Sequence, residues 1–124
     1  MPRMIAFALG AACLCLGACA PRNPSDAAIY AIGDPDRGKA LIAEVGCGAC
    51  HQIPGVAGAD GLVGPPLGTV GQRTIIAGVL PNTPENLARW IEAPQSVVPG
   101  NAMPNMELSN HDARDIAAYL YTLR

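Results

Sequence analysis

Apolar residues fall into four groups along the chain, separated by stretches rich in glycine and proline. The first is an unbroken run over residues 4–18, behind a single positive charge at Arg3. One charge followed by a short run of small apolar residues is the pattern of an export signal. The run is short for a transmembrane helix, which needs about 20 residues. The second group lies behind Asp34-Pro35-Asp36, where an acid before proline and another in the first turn mark a helix start. Ala40, Leu41 and Val45 share one face of a helix predicted over residues 35–45, and Gly46 stops it. The third opens at Thr83-Pro84-Glu85-Asn86 with threonine as cap; Leu87, Trp90 and Ile91 form its apolar face, and Pro94 ends it. The fourth starts at Ser109, with Asp112 three residues on as in a capping box. Ala113, Ile116, Ala117, Leu120 and Leu123 then recur at helical spacing.

Between these groups the pattern is irregular. Residues 20–33 contain Pro21, Asn23, Pro24, Ser25 and Gly33 and read as a tether, so that the folded part begins near Asp34. Residues 53–81 hold seven glycines and four prolines without periodicity. A loop that long in a small domain is usually functional. Residues 94–108 form another Pro/Gly-rich segment, and no strand-like alternation occurs. The expected architecture is a small all-α domain with long irregular connections.

Composition adds two points. A chain of 124 residues is one domain with a thin core, and one Phe, one Trp and three Tyr leave that core short of aromatic bulk. A bound apolar cofactor would fill the centre. The formal charge is −2; without residues 1–18, which carry Arg3, seven basic residues face ten acidic ones, giving −3. Lys39 is the only lysine. Nucleic acid is excluded as a partner, because phosphate binding needs clustered cations.

The five cysteines separate into Cys13, Cys15 and Cys19 in the N-terminal segment and Cys47 and Cys50 in the body. Cys47-Gly48-Ala49-Cys50-His51 has the C-x-x-C-H spacing of c-type haem attachment. Positions 47 and 50 share a face of a helical turn, so two thiols there can add to the two vinyl groups on one porphyrin edge. His51 is carried under the iron, and Gly48 and Ala49 are small enough for the haem edge to approach the backbone. A zinc site would want a second Cys or His pair, and residues 34–124 offer only His111 besides. His111 is expected to be exposed in the first turn of the last helix, with no ligand role. A thioredoxin-like pair would want a βαβ context.

With these residues in view, the region from Asp34 to Arg124 resembles a class I cytochrome c. The resemblance implies a small fold of three to four helices wrapped around one covalently bound haem c. Gly64-Pro65-Pro66-Leu67 is similar to the loop after the haem-binding segment, where the first proline's carbonyl accepts the N–H of the histidine ligand; Pro65 would then orient His51. Gly71-Gln72-Arg73 resembles the stretch whose arginine pairs with a haem propionate, or else Arg73 is a solvated surface cation. Pro99-Gly100-Asn101-Ala102-Met103-Pro104 resembles the loop carrying the sixth iron ligand, which would be Met103, with Met106 packing nearby. The resemblance gives Asn101 a bond to a propionate or water, and it places Trp90 in the methionine-side pocket. It also implies that Gly38 on the first helix lets the last helix cross closely, against Tyr119. The segment from Gly78 to Pro104 resembles, more narrowly, the cytochrome c domain fused to subunit II of bacterial haem–copper oxidases.

The resemblance thus implies a one-electron carrier of a respiratory chain rather than an enzyme, with redox proteins as partners and a terminal oxidase as a candidate acceptor. The alternative is a haem enzyme or gas sensor with an open distal site, against which Met103 argues. At the N-terminus, Leu16-Gly17-Ala18-Cys19 resembles a bacterial lipobox. That divides the chain into a signal at 1–18, a lipid-anchored tether at 19–33 and a domain at 34–124. The protein is then expected to be exported and held at the periplasmic face of a membrane by lipid on Cys19. Ordinary cleavage after Ala18 or Ala20 is the other reading.

Overall fold

A computed structural model describes residues 24–124, so the expected export signal, the lipobox-like stretch and Cys13, Cys15 and Cys19 lie outside the described residues. Five α-helices follow in order: α1 Pro24–Ile32, α2 Pro35–Glu44, α3 Pro84–Glu92, the single turn α4 Pro94–Val97, and α5 Asn110–Thr122. Short 3-10 turns occupy Cys47–Ala49 and Val70–Gln72, and a minimal antiparallel pair joins β1 Ile75–Ile76 to β2 Leu80–Pro81. This is the small all-α architecture expected.

The helix starts are encoded locally. Asp34 accepts the backbone N–H groups of Asp36 and Arg37 at the head of α2, and Pro35 occupies a first-turn position that needs no N–H. Thr83 accepts Asn86 N at 3.2 Å to start α3. Ser109 and Asp112 form the reciprocal capping box of α5. The buried face of α2 differs from the predicted one: Pro35, Gly38 and Ile42 face inward, whereas Ala40 is exposed. Two aliphatics at adjacent positions, Leu41 and Ile42, left the phase of the stripe open, and the close approach at Gly38 selects it.

The tether expected over 20–33 is replaced by helix from Pro24 onward. Pro24 stands at the first helical position, Ala27, Ala28 and Ala31 favour helix, and Gly33 follows the end. Propensity alone would not hold so short a helix. Ile29 is buried, Ile32 packs on the core, and Arg114 Nε of α5 donates to Ile32 O at 3.0 Å.

α5 is the centre of the fold, packed by α1, α2 and α3. Being covered on several sides, it buries the run 115–120 almost continuously rather than one stripe. At its crossing with α2, a Cβ on Gly38 would stand 1.9 Å from Asp115 O and 2.9 Å from Ile116 N. The expected close crossing is therefore present, and the atoms nearest Gly38 are α5 backbone. Tyr119 donates its hydroxyl to Pro54 O at 2.7 Å, and Tyr121 donates to Asn82 Oδ1 at 2.8 Å. The two tyrosines thereby tie the long 53–81 loop to α5.

Asp115 is a buried charge at 1 % exposure. It accepts Asp34 N at 2.8 Å and pairs with Arg37, which also bridges to Asp112. This pairing offsets the desolvation that an isolated carboxylate would suffer. His111 is exposed as expected and lies beside Arg37 and Asp115.

The Ser109 hydroxyl and then the Arg37 guanidinium hold the Asp112 carboxyl below its ordinary value. A depressed folded pKa contributes stability above the unfolded value of about 3.9, and the contribution is lost as pH falls through the folded value. Asp112→Asn should therefore lower the Tm at neutral pH, and the gap to wild type should close in acid. Thermal unfolding followed from neutrality down to acid pH measures this; a constant gap would contradict it.

Candidate functional site

The turn Cys47–Ala49 begins at Gly46, whose φ of 80° releases the chain from α2 in a left-handed conformation. His51 N donates to Cys47 O at 3.0 Å, which places the ring immediately after the two thiols. Cys47 and Cys50 are free thiols, and burial pushes Cys47 above its ordinary pKa.

The glycine-rich loop folds back onto this turn. Gly61 N donates to Gly48 O at 3.0 Å, Gly64 N to Cys50 O at 2.7 Å and Leu67 N to Gln52 O at 2.9 Å. The glycines are where the loop meets the turn: a Cβ on Gly61 would lie 2.5 Å from Ala49 O of the backbone, and one on Gly64 2.3 Å from Cε1 of the His51 ring. Gly48 is small for a related reason, since a Cβ there would lie 2.7 Å from Ala59 Cα. Its contact is with the returning loop, a partner the pentapeptide does not reveal.

His51 Nδ1 lies 2.8 Å from Pro65 O. The ring nitrogen is the donor in that pair, because a carbonyl can only accept. Nε2 then carries the lone pair of the neutral ring and is free to bind a metal. Arg73 donates to the adjacent carbonyl, Pro66 O, so both proline carbonyls are engaged.

A cavity of about 470 Å³ lies between these segments. That is within the roughly 300–1,000 Å³ usual for a cofactor-sized ligand. Cys47, Cys50, His51 and Pro65 line one part and Trp90, Asn101, Met103 and Met106 another, with Arg73 as the charged residue among its walls. Leu67, Val70, Ile76, Leu87, Ile91 and Leu120 add aliphatic surface from the loop, α3 and α5. All eight predicted site residues therefore line one space, although Cys47 and Met103 are far apart in sequence.

Asn101 departs from its expected role. Its Nδ2 donates to Pro94 O at 3.0 Å and Val98 O at 2.6 Å, while Oδ1 accepts Met103 N at 2.7 Å. Both amide protons are spent on backbone, so none is left for a propionate. Gln95 was not singled out from the sequence. It donates from Nε2 to Asn101 O at 2.9 Å and Met103 O at 2.7 Å, and Oε1 accepts Gly100 N at 3.0 Å. Asn82 was missed as well; it donates to Val70 O and Arg73 O, both at 2.8 Å. The available signal was an amide side chain inside or beside a Pro/Gly-rich loop, where carbonyls have no ladder to join.

Residues 35–124 match the family model for cytochrome c. The chain belongs to the cytochrome c family. Membership implies haem c, and the site fits it: two unpaired thiols on one turn, an imidazole whose Nε2 is free, apolar walls and a thioether lining one cavity. Similar proteins include several called cytochrome c oxidase subunit 2. That of Alkalihalophilus pseudofirmus is 38 % identical over 90 residues, covering 72 % of this chain and 25 % of the relative. That of Bacillus subtilis is 34 % identical over 87 residues, covering 68 % and 24 %. This cytochrome c thus spans about a quarter of the length of the relatives it matches and is related to the cytochrome c portion of oxidase subunit 2 proteins. Among the described residues, no helix is long and apolar enough to cross a membrane.

Proposed function

We propose that this cytochrome c is a one-electron carrier with a single haem c, joined by thioethers at Cys47 and Cys50 and ligated by His51 Nε2 and Met103 Sδ. The observation that carries the reading is the one apolar cavity lined by both thiols, the imidazole and the thioether. When bound, the haem supplies an iron that takes up and releases one electron. The protein's residues set the conditions for that exchange. Pro65 O holds the Nδ1 proton of His51, fixing the tautomer and raising the basicity of Nε2. Met103 would hold the iron through its thioether and so deny that position to dioxygen or peroxide, which separates a carrier from a haem enzyme or gas sensor. The apolar walls exclude water and limit the reorganisation that a change of charge would demand. Arg73 offers guanidinium N–H groups beyond the one given to Pro66 O, suited to a propionate.

The proposal extends to place and partner. The N-terminal pattern supports export, with lipid on Cys19 holding the domain at the periplasmic face of a membrane. The relationship to oxidase subunit 2 supports a terminal oxidase as electron acceptor. Tethering would raise the effective concentration of such a partner.

Intact mass of the protein purified from membranes of a host that matures c-type cytochromes tests the reading. One haem mass per chain, retained on denaturation and abolished by the double substitution Cys47→Ser with Cys50→Ser, is expected. Acyl mass on a chain beginning at Cys19 is expected in the same spectrum. A haem lost on denaturation would overturn the attachment, and an unacylated N-terminus would overturn the anchor.

A further inference from the structure

We propose that Gln95 is a positioning residue that, with Asn101, clamps the methionine loop and sets how often Met103 leaves the iron. The inference rests on the His51/Met103 ligation proposed above. Gln95 uses its whole amide on the loop: two donated bonds to the carbonyls of Asn101 and Met103, and one accepted from Gly100 N. Asn101 does the same, giving to Pro94 O and Val98 O and accepting from Met103 N. Met103 is therefore gripped on both sides, its N–H by Asn101 and its carbonyl by Gln95.

The clamp supplies what the local backbone lacks. Val98 has extended backbone, Gly100 has a φ of 78°, and α4 is one turn long, so no helix or sheet ladder orders residues 98–103. Besides one backbone bond, Asn101 N to Val98 O at 3.2 Å, their order comes from two side chains reaching over the turn. With the peptide groups flanking Met103 fixed, a thioether that detaches can move only through its own side-chain torsions and returns quickly. Without the grip, the whole segment can swing away and a competing ligand can enter. Gln95 touches neither the iron nor the haem in this account; it acts through Met103.

Imidazole binding to the oxidised holoprotein reads this opening directly, because at high imidazole the rate is limited by departure of Met103. Gln95→Ala removes all three bonds. Gln95→Glu keeps an acceptor for Gly100 N and loses both donors. With two or three hydrogen bonds lost, both variants should raise the limiting rate about tenfold or more. The thioether-to-iron absorption band should persist at neutral pH in both. Tyr121→Phe removes a bond of similar strength from the 70–82 segment on another side of the cavity and should leave the rate within about twofold.

Gln95 variants within about twofold of wild type, or a Tyr121→Phe rate that rises as far as theirs, would overturn the clamp. Both outcomes apply to a wild type that shows the thioether band. A wild type without that band, binding imidazole as fast as Met103→Ala, would overturn the ligation and the clamp with it. The two failures are therefore distinguishable in one set of measurements.

Discussion

Met103→Ala should lower the reduction potential by on the order of 200 mV, out of the roughly 0.8 V over which axial ligands set haem potentials. It should also abolish the thioether-to-iron band of the oxidised protein. A thioether is a weak donor that favours the reduced iron, and methionine opposite histidine raises the potential. Alanine leaves water or hydroxide to take its place, which favours the oxidised state. For a one-electron couple about 59 mV is tenfold, so a drop of this size would leave the protein unable to accept electrons from its ordinary donor. Potentiometric titration with the visible spectrum measures both effects. Met106 also lines the cavity, so Met106→Ala is the matched variant and should leave band and potential nearly unchanged. If the effects fell on Met106→Ala instead, the ligand assignment would be reversed. The hydrogen bonds favour Met103, which is held through both its N–H and its carbonyl.

Gly38→Ala should destabilise the protein by about 3 kcal/mol, at the upper end of the usual cost of overpacking. The sign is informative, because alanine for glycine in an exposed helix gains about 1 kcal/mol. Here the added methyl would lie 1.9 Å from Asp115 O and 2.4 Å from Asp115 C. Those are backbone atoms of α5 and cannot rotate aside. α2 would have to lift from α5, loosening Ile42 and Ile116 and disturbing the Arg37 and Asp34 contacts that balance the buried Asp115 charge. In a domain of this size each kcal/mol shifts the Tm by about 4–8 °C, so a loss above 10 °C is expected in thermal unfolding of the holoprotein. An unchanged or raised Tm would mean that the two helices do not cross at this distance.

The site was legible wherever its chemistry is local. The C-x-x-C-H pentapeptide brings its own geometry, since two thiols and an imidazole on one turn need no distant partner. Pro65 and Met103 were legible through loop motifs similar to those of the family. Asn101 was singled out for its place in such a motif, yet its partners are Pro94 O and Val98 O, carbonyls of a one-turn helix and its cap that the pattern did not reveal. Gln95 was given no role for the same reason. Gly48 was read as room for the haem, while its contact is Ala59 on the returning loop. In each case the residue type was visible and its partner was not.

The helices divide in the same way. Caps at Asp34, Thr83 and Ser109 act within four residues, and each begins its helix as the sequence predicts. Helix α1 depends on packing against α5, with the Arg114 bond to Ile32 O reaching across more than eighty positions, and sequence composition pointed to a tether instead. What the sequence by itself determined is the C-x-x-C-H turn, the starts of α2, α3 and α5, the all-α class and the lack of clustered cations, because capping bonds, turn chemistry and charge act over a few neighbours. Only the tertiary structure decided which face of α2 turns inward, which α5 atoms meet Gly38, how Asp115 is balanced, and which side chains grip the methionine loop. Those depend on atoms brought together by packing, and no local pattern encodes the distance between them.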